Sequence, residues 1–295
     1  MIVEGFAIAR NVLRADYPIQ ESLESIAPLC SRISVAVGQS DDGTLEFLQN
    51  LKHLSLNLHQ TQWDETLRTG GRVLAEETNK AKSLVSPEAD WLIYIQADEC
   101  LHQDDYSLLQ AAMRHYQDRE EIDALLLNYR HFYGSYAFEG DSRRWYRKEI
   151  RIIKNRPAIF SWKDAQGFRK LPAQKLRVAE VNATVFHYGW VKNPVQQQIK
   201  QNQFHRLWHS DTEVAKRVGS QAQFDYSEID SLQLFSGTHP AVMEKRMARM
   251  DWEFTAPLGR KNMNLKDRVL HGFEKMTGIR VGEYRNYIRV DRFQP

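Results

Sequence analysis

Asp90-Trp91-Leu92-Ile93-Tyr94-Ile95-Gln96-Ala97-Asp98-Glu99 is the stretch on which the fold turns. The run 91–95 is too short for a stable helix and too apolar for a half-exposed strand, so it reads as a strand buried on both faces. Two carboxylates follow it immediately. A strand of this kind delivers them to the rim of a sheet, where hard cations and phosphates are bound. A solvated loop or a cap for the next helix is the plainer alternative.

Working outward, residues 5–9, 33–37 and 54–58 read as further strands. Helical spacing runs over 16–29, 44–51, 72–85 and 106–116. Strand alternates with helix over the first 115 residues, which predicts an α/β fold with a mainly parallel central sheet flanked by helices. Ligands of such sheets bind outside the carboxyl ends of the strands. Three of those ends are polar: Arg10-Asn11, Ser40-Asp41-Asp42 and Gln96-Ala97-Asp98-Glu99. They are expected to converge on one crevice. Beyond residue 116 the pattern changes, with strands expected at 124–131, 149–154 and 179–187. From Lys192 the texture is helical and glutamine-rich, with Val195, Ile199 and Phe204 at helical spacing.

Composition excludes several classes. The 295 residues are 42% hydrophobic and 26% charged, an ordinary globular balance. A formal charge of +2 gives no chain-wide drive toward nucleic acid. No apolar run approaches the roughly 20 residues needed to span a bilayer. The start, Met-Ile-Val-Glu-Gly, lacks the basic region of a signal peptide. Two cysteines, Cys30 and Cys100, cannot form a disulfide framework. A cytoplasmic protein is expected. The charge is uneven, however: residues 245–295 hold 12 Lys and Arg against 6 Asp and Glu, interspersed with Met, Trp, Phe and Leu. A basic amphipathic tail of this kind can lie on the inner membrane face or pack on its own domain.

The ordered set Phe6-Ala7-Ile8-Ala9-Arg10-Asn11, Ile33 to Val37 with Ser40-Asp41-Asp42-Gly43-Thr44, Asn79, and Asp90 to Glu99 resembles family 2 glycosyltransferases of the GT-A fold. The resemblance covers residues 5 to about 115. It implies a Rossmann-like nucleotide-sugar-binding half (1–115), an acceptor-side half (116–191) and a C-terminal helical extension (192–295). It further implies a UDP- or GDP-sugar donor, a divalent cofactor (Mn²⁺ or Mg²⁺) and transfer of a hexose, with inversion, to a glycan or lipid-linked acceptor. By the same resemblance Asp98 matches the metal-binding acid and Glu99 an acid often beside it. Arg10, Asn11, Asp42, Asn79 and Gln96 fall at donor-binding positions, and His187 in Val185-Phe186-His187-Tyr188-Gly189-Trp190 matches a late metal-binding histidine. Two departures stand out. Gln96 replaces the first acid of the Asp-x-Asp motif, and Val37-Gly38 replace the acids that end strand two.

An inverting transferase also needs a carboxylate to take the acceptor hydroxyl's proton. Asp164, in the loop Trp162-Lys163-Asp164-Ala165-Gln166-Gly167, is the candidate, a turn aspartate being the alternative. Trp63-Asp64, ahead of Gly70-Gly71, is a further loop candidate near the donor. His205 and His209 have zinc-like spacing but no obvious third ligand. The other classes considered are a catalytically impaired sugar-nucleotide- or glycan-binding module, motivated by Gln96, and a nucleotidyltransferase, which lacks the expected phosphate loop after strand one.

Overall fold

The computed structural model describes residues 1–67, 69–218, 221–256, 258 and 262–294; Arg260 and Lys261 of the basic tail lie outside them. The first half alternates as its periodicity demands. Its elements are β1 (Val3–Ala9), α1 (Ile19–Ile26), β2 (Arg32–Gly38), α2 (Thr44–Gln49), β3 (Leu56–Thr61), α3 (Arg72–Ser83), β4 (Trp91–Tyr94), a short β5 (Glu99–Leu101) and α4 (Tyr106–Tyr116). The first four strands run parallel in the order β3-β2-β1-β4. The chain thus adds strands on one side of β1 and then returns to add β4 on the other. Where that order reverses, a crevice opens at the carboxyl ends of β1 and β4. Arg10-Asn11 and Gln96-Ala97-Asp98 leave the sheet at those two ends.

The second half is mixed. It comprises β6 (Ala124–Tyr133), β7 (Ser135–Gly140), β8 (Lys148–Lys154), β9 (Ile159–Trp162), β10 (Gly167–Lys170) and the 17-residue β11 (Gln174–Trp190). Strand β8 inserts antiparallel between β4 and β6, while β6 runs parallel to β11. The sheet is therefore mainly parallel only as far as β4. After β11 come α5 (Pro194–Arg206), α6 (Asp211–Val218), β12 (Leu232–Leu234), α7 (Glu244–Met247), α8 (Leu265–Thr277) and β13 (Tyr287–Arg292). The helical extension returns twice to the sheet, as β12 on β7 and β13 on β11. Ile288 and Val290 of β13 face solvent, which hides this strand from a search for buried apolar runs.

Packing explains the character of β4. Ile93 belongs to a core with Leu23 and Ile26 of α1 and Leu109 and Met113 of α4. Leu92 and Tyr94 point the other way, into a core with Phe6, Ala81 of α3, Ile153 and Phe168. Each such side chain contributes about 1.5–3 kcal/mol by leaving water. Among the described residues, no helix is long and apolar enough to cross a membrane.

Candidate active site

The crevice at the switch point is a cavity of about 760 Å³. Arg10, Asn11, Gln96, Asp98, Asp164 and His187 all line it. Sequence spacing placed these residues on four separate segments, and the fold brings them together.

Asp98 is the centre of the arrangement. Strand β5 pairs with β11 so that Glu99 faces His187, and the Tyr188 amide donates to the Asp98 carbonyl at 2.8 Å. This register sets the Asp98 carboxylate beside the end of β11. Its Oδ2 accepts from Lys200 Nζ at 2.9 Å and lies 3.6 Å from His187 Nε2. Lys200 also donates to the Gly189 carbonyl at 2.7 Å and stands over the Tyr17 ring. Burial pushes the Asp98 pKa up, but Lys200 and His187 outweigh it and hold the carboxyl well below the usual range. Gly189 is needed for this approach: a Cβ there would stand 2.6 Å from His187 Nε2 and 2.7 Å from Asp98 Oδ2.

A second histidine fixes the first. His131 Nε2 lies 3.0 Å from the Tyr146 carbonyl, which can only accept, so this nitrogen carries the proton. Burial and the neighbouring His187 keep the His131 pKa well below its usual value. Neutral His131 therefore presents a lone pair at Nδ1, and His187 Nδ1 donates to it at 3.3 Å. That leaves His187 Nε2 turned toward Asp98.

Glu99 differs from its neighbour. It is fully buried and holds Arg151 through two bonds, of 2.7 Å and 2.6 Å, while accepting from the Gln96 amide at 3.1 Å and from the Tyr129 hydroxyl. It braces the 96–98 turn from beneath rather than facing the cavity. Gln96 donates to the Ala165 carbonyl at 3.3 Å, tying this turn to the loop that carries Asp164. That loop joins β9 to β10 with Lys163 and Ala165 at φ 56° and 60°. Burial raises the Asp164 pKa, partly countered by backbone amides. Asp164 meets the segment that precedes α3, for a Cβ on Gly71 would lie 3.1 Å from its own Cβ and 2.9 Å from the Trp208 ring.

Two residues expected at the donor lie elsewhere. Asp42 spends both oxygens on backbone amides, accepting from Leu13 and Arg14 at 3.0 and 2.8 Å and from Thr44 at 3.0 Å. It joins the turn after β1 to the start of α2 and does not line the cavity. Asn79 exchanges bonds with the Ser161 backbone, pinning β9 to α3, and is also absent from the lining. The glycine at the end of β2 has a steric reason. A Cβ on Gly38 would stand 2.3 Å from Trp63 Nε1, so Gly38 leaves room for that ring. Trp63 in turn lies under the Arg10 guanidinium, 5.2 Å away, and Arg10 pairs with Glu65.

Sequence reasoning missed Lys200 and the tryptophans Trp145 and Trp208, all on the cavity wall. In α5 the buried residues are Gln197, Gln198, Lys200 and Gln201, whereas Val195 and Phe204 are exposed. The polar stripe at helical spacing was the available signal, and the apolar stripe pointed to the wrong face. The indole N–H groups of Trp63 and Trp208 have no hydrogen-bond partner among the described residues. His205 and His209 stack on one another, 5.5 Å apart.

Neither a scan of protein families nor a search of curated proteins finds a match. Solved structures do. The chain is similar to S. aureus TarS 1–349 in complex with UDP, at 20% identity and a TM-score of 0.34, over 45% of this chain and 37% of that one. A second structure of TarS 1–349 gives 12% identity and a TM-score of 0.38, over 75% and 67%. Glucosyl-3-phosphoglycerate synthase from Mycobacterium tuberculosis, crystallised with Mn²⁺, UDP and phosphoglyceric acid, gives 16% identity and a TM-score of 0.29, over 44% and 43%. The chain thus spans about a third of the UDP-bound TarS structure. These likenesses concern the fold alone.

Proposed function

We propose that the cavity binds a nucleotide sugar, UDP- or GDP-linked, and transfers its hexose to a hydroxyl of a glycan or lipid-linked acceptor. One observation carries this reading: at the switch point of a nucleotide-type sheet, a cation, an acid–histidine pair and a loop carboxylate face one another across an aromatic-walled cavity. Arg10 and Asn11 at the end of β1 would meet the nucleotide. Aromatic faces suit the apolar faces of sugar rings.

Asp98 and His187 are the side chains that would hold a divalent ion, although Lys200 already occupies Asp98 Oδ2 and, among the described residues, no cluster of three His, Cys, Asp or Glu stands where a metal could be held. His187 Nε2 and Asp98 Oδ2 lie 3.6 Å apart at the cavity. They would hold Mn²⁺ or Mg²⁺, which neutralises charge on a leaving diphosphate when bound. Lys200 supplies a fixed positive charge at the same oxygen from the chain itself. In the transfer, an acceptor hydroxyl oxygen bonds to the anomeric carbon as the bond from that carbon to the diphosphate oxygen breaks. The hydroxyl proton passes to Asp164, whose raised pKa suits a general base. The nucleoside diphosphate departs with the bonding pair, and a single displacement inverts the anomeric carbon.

A binding module without turnover is the second reading. Gln96 favours it, because its amide is committed to the Ala165 carbonyl and brings no charge. A thermal-shift panel of UDP, GDP and their sugars, with Mn²⁺ or with EDTA, tests the site. A ligand at 100 times its Kd stabilises by about 2.7 kcal/mol. No shift with any nucleotide overturns both readings, whereas a shift without donor hydrolysis or transfer leaves the module.

A further inference from the structure

Helix α8 is amphipathic in the reverse of the usual sense. Its inward side is polar. Glu274 bonds Arg143 at 3.0 Å and lies 3.1 Å from Arg147 and 3.3 Å from Arg280, while His271 faces Asp141 at 3.7 Å. Its outward side is apolar: Leu265 is 77% exposed, Val269 64% and Met276 83%, with Phe273 also exposed. At about 100° per residue these four fall within an arc of about 80°, under a quarter of the circumference. Lys266 borders the stripe on one side and Arg268 on the other, while Lys275 turns inward to Gln233 at 3.0 Å and Asp141 at 3.7 Å. The apolar surface continues past the Gly278 cap through exposed Ile279, Val281 and Tyr284.

A soluble helix gains nothing by pointing this stripe at water, and the ion pairs beneath it fix which way it faces. We propose that α8 and the segment after it form a membrane-docking surface for an anionic lipid bilayer. Leu265, Val269, Phe273 and Met276 enter the interfacial region, and Lys266 and Arg268 at its edges meet acidic headgroups. Charge complementarity selects this occupant. The stripe is edged by cations on both sides within a tail carrying a net excess of six, which suits an acidic surface. A second copy would instead bring the same cations against one another. The surface is coupled to the cavity, because the 141–147 segment gripped by α8 has Arg144, Trp145 and Tyr146 on the cavity wall. The docking stands whether or not the cavity transfers sugars.

The test is co-sedimentation of the full chain with vesicles of phosphatidylcholine alone or phosphatidylcholine with phosphatidylglycerol at 3:1. Binding at least ten-fold stronger to the anionic vesicles is expected, weakening as salt is raised. Val269→Glu/Met276→Glu, both highly exposed and so neutral to the melting temperature, should lower it a further ten-fold or more. Equal binding to both vesicle types, no binding, or a double variant that binds like the wild type overturns the proposal. So does a concentration-dependent dimer that the double variant dissolves, which would assign the face to a second copy.

Discussion

Lys200 Nζ lies 2.9 Å from Asp98 Oδ2, so the acid at the end of β4 is held by a cation 102 residues further along the chain. Both side chains are only 10% exposed. Removing one partner of a buried pair leaves a charge without compensation, at a cost of roughly 3–5 kcal/mol. Lys200→Met is expected to lose about 3 kcal/mol. Asp98→Asn/Lys200→Met should recover most of that loss in denaturant unfolding. Asp98→Asn alone should keep the fold and reduce transfer at least 100-fold. A fully active Asp98→Asn would remove this acid from the proposed chemistry.

The depressed Asp98 pKa has a definite sign in pH titration. A carboxyl lowered on folding contributes stability that is complete above its unfolded value, roughly 3.9. That contribution is lost as pH falls through the lower folded value. Unfolding free energy should therefore decline on acidification below about pH 5, and less steeply in Asp98→Asn. Asp164 behaves oppositely. Its raised pKa should appear as an acid limb of kcat/KM lying above the ordinary aspartate range, absent from the residual rate of Asp164→Asn. A limb at the ordinary value would argue against Asp164 as the base.

Glu99 and Arg151 form a fully buried pair beneath the site. Glu99→Gln should cost roughly 3–5 kcal/mol, with any loss of activity following loss of fold. Glu99→Leu/Arg151→Met should be less destabilised than either single variant. Melts of Glu99→Leu, Arg151→Met and the double variant check this, and additive losses would show that the two side chains do not act as a pair.

Asp42 and Arg10 separate the scaffold from the cavity. Asp42→Ala removes three backbone-directed bonds and should cost about 1–2 kcal/mol without changing nucleotide affinity. Arg10→Ala, on the cavity wall, should weaken nucleotide binding about ten-fold with little change in melting. Calorimetric titration with UDP and GDP distinguishes them. The reverse pattern would return Asp42 to the donor site.

Much of the first half was legible before folding was considered. Buried runs such as 91–95 alternate with helical spacing, and their polar ends mark the rim of a sheet. Those ends carry Arg10, Gln96 and Asp98, which line one cavity, because strand termini and their direction follow from local pattern. Asp42 and Asn79 bond backbone and do not line the cavity, for a related reason. A motif position carries no information on whether a side chain turns to a ligand or to a neighbouring amide.

The sequence by itself determined the α/β alternation, the parallel half-sheet and the acid at the end of β4, since these depend on periodicity over a few residues. Only the tertiary structure decided that Lys200 and His187 close on Asp98, that His131 sets the tautomer of His187, and that α8 faces water with its apolar side. Each of these depends on contacts between segments far apart in the chain. The uneven charge of the tail was visible in composition, but the face on which that charge lies was fixed by the ion pairs of Glu274 with Arg143, Arg147 and Arg280.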